Sequence, residues 1–217
     1  MAKSKTITGY KTPKLPLMWI KIDGEGEESL SGKMQYLASV LMTEEQKDAL
    51  EAELAAFWKE NRPAGAKKMK SNGISAEMRK TDETDEDGDP IKEPTGNYLL
   101  QFKTNATWPD GKRNKIKIFN AKGKPVELGE TKIGNGSLGR IDGSYDVYAV
   151  KDKQGNVTNA GITFFLNGIQ VIKLEEYEAN SVEFDADDEE DGWTGDDDSF
   201  EGTSSVEEDS PKAGPRL

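Results

Sequence analysis

The chain reads as mainly β: five or six short strands curling into a small, closed or nearly closed antiparallel barrel, with one α-helix and a disordered acidic tail. Three observations predict this. From residue 97 onward, strand-like runs are punctuated by PDGK, KGKP, NGSLG and KQGN, the turn chemistry of successive antiparallel strands. A helical stripe appears once, over about 43–61, so the strand–helix alternation of a parallel α/β sheet is missing. Finally, charge is segregated. Of 41 Asp/Glu and 29 Lys/Arg, 14 and 2 lie beyond residue 180, which leaves 27 of each sign in residues 1–180 and the whole net charge of −12 in the tail. So acidic a segment cannot bury enough apolar surface to offset its ordering entropy.

Residues 1–16 are basic, polar and contain proline, which predicts a flexible arm. A barrel domain over 17–180 follows. LMWIKI (17–22) is its first strand, DGEGEES a loop, and KMQYLASVLM (33–42) its second strand. Thr43 can cap a helix, and Gln46 three residues later completes a capping box. Leu50, Leu54, Phe57 and Trp58 then fall at i, i+4, i+7 and i+8, one apolar stripe suited to packing on a sheet. Arg62-Pro63 ends the helix.

Residues 61–94 read as a polar insertion loop with a basic half, KKMK, and an acidic half, TDETDEDGDP. Placing Gly88 at position six of a calcium-binding loop puts Pro94 where a bidentate Glu belongs, so a solvated acidic loop is expected instead. NYLLQFKTNATW, NKIKIFNA, GSYDVYAV and ITFFLNGIQVIKL supply the later strands. GNGSLG (134–139) matches a phosphate-cradling glycine pattern, but a strand pattern follows it rather than a helix, so it reads as an inter-strand turn.

Composition narrows the chemistry. With no Cys and no His, thiol nucleophiles, imidazole acid–base pairs and the usual zinc sites drop out. The carboxylates cluster in the 82–89 loop and the tail, where rigid two-metal geometry is not expected. The chain therefore reads as a non-enzyme without cofactor or metal. The N-terminus has no apolar signal core, and no run reaches the roughly 18–20 apolar residues of a membrane span, so a cytosolic protein is expected.

Between Lys103 and Arg140 nine Lys/Arg face three acids. Strand parity in NKIKIFN sets Ile116 and Ile118 on one face and Lys115, Lys117 and Phe119 on the other. Trp108 sits in a polar turn beside Lys112 and Arg113, and Phe165 has the opposite parity to Ile162, Phe164 and Leu166. Cations beside exposed rings suit single-stranded nucleic acid, whose phosphates need countercharge and whose bases need flat surfaces. The candidate contacts are Lys103, Trp108, Lys112, Arg113, Lys115, Lys117, Phe119, Lys132, Arg140, Tyr148 and Phe165.

The tail, 181–217, carries Trp193 and Phe200 among Asp187, Asp188, Glu189, Glu190, Asp191, Asp196, Asp197 and Asp198. A polyanion with interspersed rings has the chemical alphabet of single-stranded DNA. Such a tail can compete for the basic face and, once displaced, contact other proteins. The rival reading is an interaction factor whose tail mimics DNA to inhibit or recruit a DNA-processing enzyme, with a body that binds no DNA.

In the order of its segments the chain resembles the replicative single-stranded DNA-binding proteins of short-tailed, T-odd bacteriophages. The likeness runs from KMQYLASVLMTEEQKDALEAELAAFW through NYLLQFKTNATW, NKIKIFNAKGKPV, KIGNGSLG and ITFFLNGIQVIKLEEY to EEDGWTGDDD. It implies an OB-fold and binding of single-stranded DNA in phage replication, recombination and repair. It further implies tail contacts with a phage DNA polymerase and helicase-primase, a homodimer, and residence in the cytoplasm of the infected host.

Overall fold

Five long strands close on one another in a ring. In the computed structural model, which describes residues 8–29, 32–129 and 131–176, the strands are β1 (Thr8–Lys11), β2 (Leu15–Lys21), β3 (Glu27–Glu28), β4 (Met34–Met42), β5 (Ile74–Thr84), β6 (Pro90–Asn105), β7 (Lys117–Phe119), β8 (Pro125–Val126), β9 (Leu138–Lys151) and β10 (Val157–Lys173). The pairing runs β2–β4–β6–β10 and returns to β2 through β9. These residues belong to one compact unit, Met1–Ala179. The acidic tail lies outside the described residues.

Alternation places the core inside the ring. Tyr36, Ala38, Val40 and Met42 on β4, Leu100 and Phe102 on β6, and Ala160, Ile162, Phe164 and Leu166 on β10 are all buried. A bulge between Leu166 and Gly168 then shifts the register, so that Ile169 becomes the buried residue. Gly143 sits where β9 passes closest to the core rings. A Cβ there would stand 2.8 Å from the Phe102 ring and 2.4 Å from the Phe165 carbonyl oxygen.

Helix α1 (Glu44–Asn61) forms as expected. Thr43 and Gln46 make both halves of the capping box, and Leu50 and Leu54 are buried. Phe57 and Trp58 are half-buried against the core, with Phe57 meeting Tyr145 edge-to-face at 4.8 Å. The Tyr145 hydroxyl donates to Glu53 Oε1 at 2.9 Å, tying the helix to β9. Burial, helped by that bond, pushes the Tyr145 phenol up to about 12.

Four expectations need correction. The sheet is not wholly antiparallel, because β10 pairs in parallel with both β6 and β7. A closed ring of five strands cannot alternate direction throughout; with β2–β4, β4–β6, β9–β10 and β2–β9 antiparallel, β10 must run with β6. The arm over 1–16 is not free of structure, since Thr8–Lys11 adds a strand antiparallel to β9 and Leu15 already belongs to β2. The insertion over 61–94 holds β5 and the start of β6, joined by a turn in which Asp85 Oδ1 accepts from the Asp87 and Asp89 amides. This ribbon has little core to face, so its sequence shows no alternation; backbone pairing alone defines it. Finally, NKIKIFNA provides only the three-residue β7. As expected, GNGSLG is a turn leading into β9, with Gly136 at φ +92°.

β2 contains an irregularity. Its register with β4 jumps between Met18 and Lys21, and Trp19 inside that interval has φ +53°. No helix among the described residues is long and apolar enough to cross a membrane.

Candidate nucleic-acid interface

The chain leaves β6 at Asn105 and doubles back through a hairpin that carries Trp108. Thr107 and Arg113 face each other across it. The Trp108 amide donates to the Lys112 carbonyl (2.8 Å), Gly111 donates back to Trp108 (2.9 Å), and Asn114 donates to Ala106 (2.8 Å). Gly111 takes the left-handed turn at φ +81°. With its backbone closed in this way, the hairpin holds Trp108 out at 57% exposure. Lys112, at the turn, pairs with Asp110 at 3.2 Å.

Two open depressions flank this hairpin. One is lined by Lys33, Met34, Ala106, Trp108, Pro109 and Arg113. The other is walled by Ile20, Ile22, Ile116 and Ile118, with Lys115 and Lys132 on it. Arg113 and Gly24 belong to both, so the two form one continuous track. Asp23, Glu25 and Glu127 also border it. Even so, none of Lys33, Arg113, Lys115 and Lys132 is in an ion pair among the described residues.

On β10 the observed exposure follows strand parity. Phe165 is 37% exposed while Ile162, Phe164 and Leu166 are buried. Lys103 is its register partner across the parallel seam, so the two share the outer face of the ring, away from the track's lining residues. Phe119 departs from its expected company. Because the strand begins only at Lys117, alternation does not reach Lys115, which lines the track together with both isoleucines. Phe119 instead joins Arg140, Lys11 and Gln170 around another hollow. Gln170 is paired with Arg140 on one side and Phe119 on the other, and the Arg140 guanidinium reaches the Gln170 side chain at 3.5 Å. Lys117 is exposed beside Gly168. Tyr148 is half-buried opposite Gly161 and lines neither depression.

The structure thus brings Trp108, Arg113, Lys115 and Lys132 together, with Phe119 and Arg140 as a second group and Lys103 and Phe165 as a third. Lys33 and Lys11 were not anticipated. Both stand outside the basic 103–140 stretch, and only strand pairing carries them to these surfaces. Among the described residues no cluster of His, Cys, Asp or Glu is disposed to hold a metal ion. The tail residues from Asp187 to Phe200 lie outside the described residues.

No protein-family profile matches the chain, and no curated protein matches it. Solved structures do. The crystal structure of gp2.5, a single-stranded DNA-binding protein encoded by bacteriophage T7, aligns over 85% of this chain and 100% of its own, with TM-score 0.52 and 15% identity. The single-stranded DNA-binding protein of bacteriophage Enc34, solved in complex with single-stranded DNA, aligns over 81% and 95%, with TM-score 0.51 and 16% identity. At these identities the likeness is one of fold, and it agrees with the OB-like ring described above.

Proposed function

We propose that the chain binds single-stranded DNA without sequence preference and serves phage DNA replication, recombination and repair, with no catalytic step of its own. The observation that carries this reading is the continuous track. An exposed indole, cations that form no ion pair among the described residues, and isoleucine walls lie along one surface, matching the phosphates and unstacked bases of a single strand. The fold likeness to two phage proteins that bind such DNA supports it. Arg113, Lys115, Lys132 and Lys33 contact phosphate and Trp108 stacks on a base. Phe119 with Arg140, and Phe165 with Lys103, extend the contact. The acidic tail competes for this face and recruits the replication partners, a polymerase and a helicase-primase, and the protein works as a homodimer.

Titration of fluorescein-labelled oligo-dT, followed by anisotropy, tests the reading. Tight binding to oligo-dT and much weaker binding to blunt duplex is the expected result; equal affinity for both contradicts it. Trp108→Ala should weaken binding by roughly 1–3 kcal/mol. Its melting temperature should stay close to wild type, since the indole is largely in solvent.

Deleting residues 181–217 tests the tail. A tethered competitor acts at an effective concentration of about millimolar, so its removal should tighten DNA binding. The gain should be largest at low salt, where charge is least screened. A truncated chain that binds no DNA would instead favour the DNA-mimic reading.

A further inference from the structure

Trp19 stands in a backbone conformation its residue type avoids. Its φ of +53° lies in the left-handed region, where a bulky side chain crowds its own backbone. The strand pays for this locally with a bulge between Met18 and Lys21. Alternation from Leu17, which is fully buried, would send Trp19 into the core; the bulge turns it out to 55% exposure instead. A strained residue persists only where its surroundings hold it, and such holding concentrates at functional sites.

The surroundings here are specific. The Trp19 amide donates to Asn135 Oδ1 at 2.7 Å. Just before the bulge, the Leu17 amide donates to the Ser137 carbonyl at 2.7 Å, and the Gly136 amide donates to the Leu17 carbonyl at 2.9 Å. The glycine-rich turn at 134–137 is therefore the brace that fixes the bulge. Trp19 also borders the track through its neighbours. Its neighbour Ile20 lines the depression that holds Lys115 and Lys132, and Ile133, two residues before Asn135, lines it as well.

We infer that Trp19 is a second base-stacking platform, held out by the Asn135 turn beside the depression that carries Lys115 and Lys132, while Trp108 serves the depression on the other side of Arg113. This rests on the single-stranded DNA reading and adds to it a residue, and a role for the glycine-rich turn. A nucleotide fits better than a purely apolar protein surface, because Arg113, Lys115 and Lys132, none of them in an ion pair among the described residues, stand among the isoleucines of the adjoining depression, giving a phosphate its countercharge beside an apolar surface.

Trp19→Gly is the decisive variant, since glycine accepts the left-handed conformation and loses only the ring. In the full chain it should bind labelled oligo-dT about 5- to 150-fold more weakly, the range for one lost stacking contact. Its melting temperature should equal or exceed that of wild type. Trp19→Phe keeps a flat ring and should recover most of the affinity. A chain in which Trp58, Trp108 and Trp193 are replaced by Phe reports on Trp19 alone, and its emission should be quenched on saturation with oligo-dT. Wild-type affinity in Trp19→Gly while Trp108→Ala is impaired overturns the role of Trp19 and leaves the binding reading standing, as does an unquenched Trp19. Self-association lost in Trp19→Gly, with DNA binding intact, assigns the ring to a contact between copies and overturns it too. If the intact chain and its tail-deleted form both fail to bind oligo-dT, the underlying reading falls and this inference with it.

Discussion

Neutralising Arg113, Lys115 and Lys132 together, each to Gln, should make DNA binding both weaker and less sensitive to salt. All three line the track and none is in an ion pair among the described residues, so each is available to a phosphate. A contact to single-stranded DNA contributes about −0.7 to the slope of log affinity against log salt. Losing three should flatten the slope by about 2. The ratio of wild-type to variant affinity should then shrink roughly sixteenfold between 50 and 200 mM salt. Thermal stability should move little, within about 0.5 kcal/mol, because all three side chains are exposed and make no core contact. Parallel salt titrations of the two proteins decide this. An unchanged slope would place the phosphates elsewhere, and the Phe119–Arg140 and Lys103–Phe165 groups would become the next surfaces to test.

Phe164→Ala should cost about 3–5 kcal/mol of stability, the range for truncating a buried ring. Its side chain is 1% exposed and sits at the junction of four elements. It meets Phe102 at 5.1 Å, Tyr145 at 5.3 Å and Tyr10 at 5.5 Å, which joins β10 to β6, β9 and β1. Gly73 packs so closely on it that a Cβ there would stand 2.8 Å from the ring. In a domain of this size the loss corresponds to a fall in melting temperature of roughly 6–20 °C. Phe165→Ala, one residue along, is the matched control. Phe165 is 37% exposed, so its truncation should cost clearly less stability than that of Phe164 and instead weaken DNA binding if it stacks on a base. Denaturant unfolding of both variants checks the pair, and comparable destabilisation by both would contradict the inward–outward assignment on β10.

Where one face of an element is buried and the other is wet, the sequence is legible. The α1 stripe, the alternation in KMQYLASVLM and the opposition of Phe164 and Phe165 all follow from that single condition, and each stands as read. The β5–β6 ribbon escaped because it buries few side chains on either face. Ile74–Thr84 is mostly exposed, and the only information that makes it a strand is the register of its backbone with residues 90–100.

The candidate site divides along the same line. Its chemistry was readable: the concentration of Lys and Arg between 103 and 140, and a tryptophan in a polar turn, are local facts of composition. Its assembly was not. Lys33 joins Trp108, and Lys11 joins Phe119 and Arg140, across large separations in sequence through strand pairing. The exposure of Trp19 runs against its own strand's alternation, because a bulge braced from residues 134–137 overrides it. By itself the sequence determined which segments have a buried face, and what charge and rings the chain possesses, since side-chain period and composition are local properties. Only the tertiary structure decided which of those rings and charges share a surface. That depends on ring closure, on the parallel seam between β6 and β10, and on the left-handed backbone of Trp19, all set by pairing between strands distant in the chain.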